Sequence, residues 1–379
     1  MRINMMKKER SKSVLMVGST DFFPSIAYAS GFKAPGAVVF LKSGTNSYLV
    51  VPQLEFGRAS RTGAEVQVFT PEMLGLQGPA KGKIREWACR LLQRMKIRAV
   101  AVPPSFPLGI ARYLEQKGIG LSVAEKDLFP ERAVKTADEL RKIRESQQAA
   151  VIAMRAAITV IADSDIDSAC FLRHRGKLIT SEYIREVIAR TLFNHNCIAK
   201  EIIVAGGSQA ADPHENGSGA LRAGEAIVMD IFPRHMTHGY WGDLTRTVVK
   251  GATSPFMKRV YHAVKAAQSA ALSRVKAGVN CSTVHQAAVD EFQKRGLFSS
   301  VADGRGTGFI HSTGHGVGLA IHEAPSISTE KGRLKTGNVI TIEPGLYYPG
   351  VGGVRIEDTI VVTASGWRYL VPCEKKFEV

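Results

Sequence analysis

Several absences narrow this sequence before any motif is read. Its five cysteines, Cys89, Cys170, Cys197, Cys281 and Cys373, are odd in number, widely separated and never in a CxxC pair. That pattern excludes a disulfide framework and a thiolate zinc site, and it fits reduced thiols in the cytoplasm. No apolar stretch approaches the length of a membrane span, so no membrane partner is expected. The run Val14 to Val17, behind the basic start MRINMMKKERSK, is too short for a signal peptide. Low-complexity segments and short-period repeats are missing too. The 50 Lys and Arg outnumber the 34 Asp and Glu, giving a net charge of +16, but they form no long basic block and no aromatic interleaving. The chain is therefore cationic in general, without the footprint of specific nucleic-acid binding. A phosphate loop is absent as well: in GLQGPAKGK, Gly75 to Lys83, Gln77 stands where the first glycine belongs and Ile84 where Ser or Thr is needed.

The 379 residues suffice for two domains with their own cores. From Ser13 to about Phe129, the runs SVLMVG, GAVVFLKS, SYLVVP, EVQVF and RAVAVP read as strands. Helical spacing over Gln53–Arg61, Lys83–Met95 and Phe106–Lys117 separates them, which predicts an α/β layer domain. The boundary falls near Phe129-Pro130, setting the domains at 1–132 and 133–379. A long amphipathic helix follows, capped by Thr136 with Glu139 three residues on. Further helices are expected from Ser181, from Ser254-Pro255 to near Gly278, and from Ser282 to Gly296.

The chemistry concentrates in AIVMDIFPRHMTHGYWGDLTRTV, Ala226 to Val248. Two acids, Asp230 and Asp243, sit in apolar strand-like runs, where an ionised carboxylate is costly unless paired or metal-bound. The later stretch VITIEPGLYYPGVGGVRIEDTIVV repeats the plan with Glu343 and Glu357. Two such hairpins predict two similar half-domains facing one another across a shared site. Four carboxylates together become tolerable with two divalent cations between them, and carboxylates with one imidazole suit Mn, Co, Zn or Fe(II). Strand alternation places Asp243, Thr245 and Thr247 on one face, as it does Arg355, Glu357 and Thr359, while Asp358 points away.

From about residue 136 onward the chain resembles the pita-bread metallopeptidases, the group of methionine aminopeptidase, aminopeptidase P and prolidase. The resemblance is carried by DPHENG, MDIFP, GDLTRTV, FIHSTGHGVGLAIHEAP, ITIEPGLYYPG and GGVRIEDTIVV. YASGFKAPGAVVFL and YLVVPQLEFGRAS resemble the creatinase-type N-terminal domain of the proline-specific members. The resemblance implies an α+β pita-bread catalytic domain preceded by a smaller α/β domain, and commonly a homodimer. It implies that Asp230 chelates one metal, that Asp243 and Glu357 bridge two, and that His315 and Glu343 complete the second. Manganese is the ion it favours. A metal-bridging hydroxide would attack the scissile carbonyl, with Glu343 as proton shuttle and His214 and His322 binding substrate and stabilising developing charge. His311 and Arg355 match substrate-binding residues of the proline-specific branch. A histidine four residues before His315, together with an N-terminal domain, favours an Xaa-Pro dipeptidase or aminopeptidase over methionine removal. A non-catalytic binding protein on this fold is the alternative from another class, but such relatives lose metal ligands. The chain departs from the family in one place. Asp230 and Asp243 lie thirteen positions apart, two more than the family motif sets them, which lengthens the turn RHMTHGYW. His235 and His238 in that turn are expected to be exposed.

Overall fold

Runs of β-branched and aliphatic residues become strands buried on both faces in the first of two units, Met1–Pro130 and Glu131–Val379. The computed structural model describes residues 13–379 apart from 64, 126 and 303. In the first unit β1 (Val14–Gly18), β2 (Val38–Ser43), β3 (Asn46–Val50), β4 (Val66–Phe69), β5 (Ala99–Val102) and β6 (Gly120–Val123) form one sheet in the order β4-β3-β2-β1-β5-β6. Strands β1 to β3 pair antiparallel, whereas β4, β5 and β6 are added parallel. Parallel additions need crossovers. Here α2 (Gln53–Ala59) links β3 to β4, α3 (Ile84–Arg94) precedes β5 and α4 (Leu108–Gln116) links β5 to β6. Alternate residues serve opposite faces: Leu15, Val17 and Leu41 pack with Leu91 and Leu114, and Met16 and Phe40 pack with Ile26 and Phe129.

Two elements of this unit are additional to those the sequence pattern predicts. Helix α1 (Pro24–Ser30) has only seven residues and no side-chain cap, and β6 carries just Leu121 and Val123 as apolar residues. The Gly75–Lys83 stretch contains a 3-10 turn over Gly78–Gly82.

The second unit holds two helix-backed sheets. Helix α5 (Ala137–Ala162) starts with the predicted capping box, Glu139 N–H donating to Thr136 Oγ1 and Thr136 N–H to Glu139 Oε2. After it comes a small sheet of β7 (Asp165–Ile166), β8 (Leu172–His174) and β9 (Lys177–Leu178), then α6 (Ser181–Asn194), capped by Thr180. Strand β10 (Cys197–Ile198) is followed by β11 (Ile202–Gly206), β12 (Ile227–Ile231), β13 (Arg234–His235) and β14 (Leu244–Val248). Strands β11, β12 and β14 form an antiparallel sheet, and β10 pairs with β13. Met154, Ile161, Ile188 and Leu192 of α5 and α6 pack on Ile227, Met229 and Leu244.

Next are α7 (Pro255–Arg274) and α8 (Cys281–Lys294). Helix α7 stops short of the expected end near Gly278, because Val275 adopts extended ψ and Ala277 N–H then donates to Thr363 O. A short pair, β15 (Ser300–Ala302) and β16 (Arg305–Thr307), precedes β17 (Gly314–Gly316), β18 (Glu323–Ile327) and β19 (Val339–Ile342). Strands β20 (Gly345–Tyr348) and β21 (Gly352–Arg355) pair alone, and β22 (Asp358–Val362) and β23 (Trp367–Tyr369) close a sheet of order β18-β17-β19-β22-β23. Val260, Val264, Val284 and Phe292 back it against Ile340, Ile342 and Ile360. The repeated hairpin plan thus becomes two sheets, each with its own helix pair.

Candidate metal centre and active site

The four acids emerge where strands end. Asp230 lies in β12 opposite Thr245 of β14, so the two side chains leave the sheet on one face. Asp243 immediately precedes β14, Glu343 immediately follows β19, and Glu357 immediately precedes β22. Threonines join the two sheets there. Thr245 Oγ1 donates to Glu357 Oε2 at 2.8 Å, Thr247 Oγ1 to Arg355 O at 2.9 Å, and Thr359 Oγ1 to Asp243 O at 2.8 Å. Asp358 turns to the other side, paired with Arg246 at 2.7 Å and Lys375 at 2.6 Å.

Asp230, Asp243 and Glu343 line a cavity of about 810 Å³, together with His214, His311, His315, His322 and Arg355. Glu357 is buried behind them. His315 joins the acids through Nε2, 3.2 Å from Glu343 Oε1 and 3.5 Å from Asp243 Oδ2. One ligand atom each from Asp243, His315 and Glu357 lies within 4.8 Å of the others. Asp230 is held from the other side by Arg355, whose guanidinium donates to Asp230 Oδ2 at 2.7 Å. All nine residues singled out in the sequence are therefore in or beside one cavity.

The electrostatics of this cluster are those of a site short of positive charge. Burial, then the neighbouring Asp230 charge, pushes the Asp243 carboxyl well above the usual range. Burial, then Asp243, does the same to Glu357. Glu343 behaves oppositely: burial would raise it, but the hydrogen bond and charge of His315 hold it low, and the same pairing holds His315 high. Asp230 Oδ1 and Glu357 Oε1 are buried with no hydrogen-bond partner among the described residues. Buried anionic oxygens need a compensating partner. Divalent cations fit this donor set of four carboxylates and one imidazole.

Two residues carried over as substrate contacts are largely engaged by the protein itself. His311 contacts Ser312 O through Nδ1 at 2.7 Å and Tyr347 Oη through Nε2 at 3.0 Å. The tautomer that satisfies both donates from Nδ1 and accepts at Nε2. Burial lowers this ring to about 4, so it is neutral at physiological pH. Each guanidinium nitrogen of Arg355 also donates internally, to Asp230, to Tyr347 Oη and Pro213 O, and to Thr245 Oγ1. His322, lowered first by burial and then by His315, and the exposed His214 line the cavity.

Sequence reasoning missed the residues that hold these groups in place. Gln147 on α5 accepts from Asp243 N–H at 2.7 Å and donates to Asp243 O at 2.9 Å, clamping that backbone on both sides. Gly242 makes the approach possible, since a Cβ there would lie 2.7 Å from Gln147 N. Thr341 Oγ1 accepts from His315 N–H and donates to Glu343 Oε1, both at 3.0 Å. Tyr347 bridges His311 and Arg355. The only available signal was strand alternation, which puts Thr341 on the face of Glu343.

The model of metallopeptidase family M24 matches residues 141–364, more than half of the chain. The chain belongs to metallopeptidase family M24. Over 384 aligned residues the M24 chain is 29% identical to the Xaa-Pro dipeptidase of Pyrococcus horikoshii, covering 99% of this chain and 96% of that protein. It superimposes on the crystal structure of the prolidase from Pyrococcus horikoshii OT3 with a TM-score of 0.79 at 27% identity, covering 97% of this chain and 95% of that one. The X-Pro aminopeptidase structure from Thermotoga maritima gives 0.78 at 25% identity, covering 97% of each. The pita-bread fold implied by the motifs is the fold of these structures.

The lengthened turn of this M24 chain corrects one expectation. His235 and His238 are not exposed: both are partly buried and their rings stack, with centroids 3.8 Å apart. The turn also delivers Trp241 to the cavity wall, where its N–H donates to Gly318 O and its Nε1 to Leu319 O.

Proposed function

We propose that the chain is a metal-dependent exopeptidase that hydrolyses the bond between an N-terminal residue and proline. The observation carrying this is the convergence of Asp230, Asp243, His315, Glu343 and Glu357 on one cavity beside His311 and His322, in a chain aligned end to end with an Xaa-Pro dipeptidase. In this reading residues 133–379 are the catalytic domain and 1–132 a creatinase-type N-terminal domain. Two divalent ions would be held by the five ligands, Asp243 and Glu357 serving both, Asp230 the first, and His315 and Glu343 the second. When bound, the ions supply a water acidified to near neutrality and stabilise charge on the peptide carbonyl.

The remaining steps belong to side chains. Glu343 would serve as the proton shuttle, taking a proton from the attacking water and passing it to the leaving proline nitrogen, which in an Xaa-Pro bond carries no hydrogen of its own. His322 and His214 donate to the carbonyl region as negative charge develops. His311 and Arg355 act as positioning residues: the chain Ser312–His311–Tyr347–Arg355 ends on Asp230 and fixes its carboxylate. Arg355 also reaches Pro213 O, next to His214, and so couples the DPHENG loop to the acidic cluster. Manganese as the preferred ion and homodimeric assembly rest on the family resemblance, and cytoplasmic residence on the unpaired cysteines.

The experiment is hydrolysis of an Xaa-Pro dipeptide and an Xaa-Pro-Yaa tripeptide by purified chain, stripped with EDTA and reloaded with Mn, Co or Zn. Cleavage restored by metal is expected, and the ratio of the two rates assigns dipeptidase or aminopeptidase activity. Metal-dependent release of N-terminal methionine ahead of residues other than proline would support the methionine aminopeptidase alternative. Absence of cleavage with every metal would leave a binding protein on this fold.

A further inference from the structure

The lengthened turn carries a second group of metal-ligand side chains that the catalytic reading does not use. The rings of His235 and His238 lie 3.8 Å apart between centroids with their planes at 11°. Glu145, on the exposed side of α5, brings Oε2 to 3.3 Å from His238 Nε2. One ligand atom from each of the three lies within 4.8 Å of the others. With Zn–N and Zn–O bonds near 2.0–2.1 Å, the edge of a tetrahedral zinc site is roughly 3.3–3.4 Å. The His238–Glu145 separation already has that length. Cys197 stands directly across from His235 in the β10–β13 pair, so both side chains leave that ribbon on one face.

We propose that Glu145, His235 and His238 form a binding site for one zinc-class divalent transition metal, separate from the catalytic centre, that ties the lengthened turn to α5. Two imidazoles and a carboxylate select this class over Mg or Ca, which take oxygen donors. The metal-free arrangement is not yet the ligated one. Thr237 N–H and Tyr240 N–H face His235 Nδ1 and His238 Nδ1, each at 3.2 Å. Coordination through Nε2 moves the ring proton to Nδ1, gives up these two long contacts and splays the rings from parallel. Metal binding trades them for charge-compensated ligands and fixes the segment that leads into Trp241 of the cavity wall.

The test compares zinc content of the full-length wild-type chain and a His235→Ala/His238→Ala variant after equilibration with zinc and desalting. The variant is expected to hold one zinc fewer per chain, and Glu145→Gln to weaken that zinc at least tenfold in a chelator competition. Cobalt loading should give wild-type minus variant visible bands of a low-coordinate ion with nitrogen ligands. Loss of zinc at the acidic centre lowers both counts equally, so failure of the peptidase reading leaves the difference intact. Where the double alanine variant does not fold, His238→Gln serves in the same comparison. Equal zinc counts in folded wild-type and variant chains would overturn the proposal.

Discussion

Gln147 illustrates how a neutral side chain can govern a charged one. Its amide satisfies both backbone groups of Asp243, the acid whose carboxylate lies 3.5 Å from His315 Nε2. Replacing it with leucine leaves a buried N–H without its acceptor, which costs about 1–3 kcal/mol. Thr359 still donates to Asp243 O, so the acid is displaced rather than released. Gln147→Leu is therefore expected to lower kcat about tenfold or more with a smaller change in KM. Its thermal unfolding temperature should fall, and steady-state kinetics with calorimetry check both. Unaltered kcat would show that Asp243 needs no such clamp.

At the scale of elements, β17 carries His315 between Gly314 and Gly316 because neighbouring backbones come too close for any side chain. A Cβ on Gly314 would meet Thr341 O, and one on Gly316 would meet Ala324 O. Gly314→Ala is predicted to force β17 from β19, move His315 and lower stability by about 2 kcal/mol or more, an overpacking cost. Denaturant unfolding measures it. The contrast with α5 is instructive. Thr136→Ala removes a capping box worth about 1 kcal/mol and should leave activity unchanged.

Legibility in the sequence follows the same distinction. The α5 cap was readable because Thr136 and Glu139 are three residues apart. The five acid and histidine ligand candidates were readable from motifs, through the joint pattern of four acids in apolar strand-like runs rather than through any one of them. Gln147 and Asp243 are 96 positions apart and Arg355 and Asp230 are 125 apart. Neither local pattern nor periodicity pairs such residues. The turn histidines were misread because their burial arises from a stack and from Glu145 on a distant helix.

For the whole molecule, the acidic cluster makes the metal-free state sensitive to pH. Asp243 and Glu357 have folded-state values raised above those of the unfolded chain. Their contribution is fully present below the unfolded carboxylate range, near 4, and is lost as pH rises through the raised folded values. The metal-free chain thus loses stability as pH rises, because burial first, and then the neighbouring carboxylates, oppose ionisation of these two groups. Asp243→Asn should raise the unfolding temperature of the metal-free chain, by a margin that grows as pH rises from about 4 towards neutrality. In the metal-loaded chain the same substitution should lower it, since cations stabilise the state that binds them. Differential scanning calorimetry with and without EDTA separates the two signs.

The most direct test is the rate of Xaa-Pro dipeptide hydrolysis measured alongside metal content in one preparation, stripped and then titrated with manganese. The account predicts no hydrolysis without metal, recovery that saturates as two ions per chain are bound, and loss of both recovery and those ions in Asp243→Ala. Hydrolysis that survives complete metal removal, or that persists undiminished in Asp243→Ala, would contradict it.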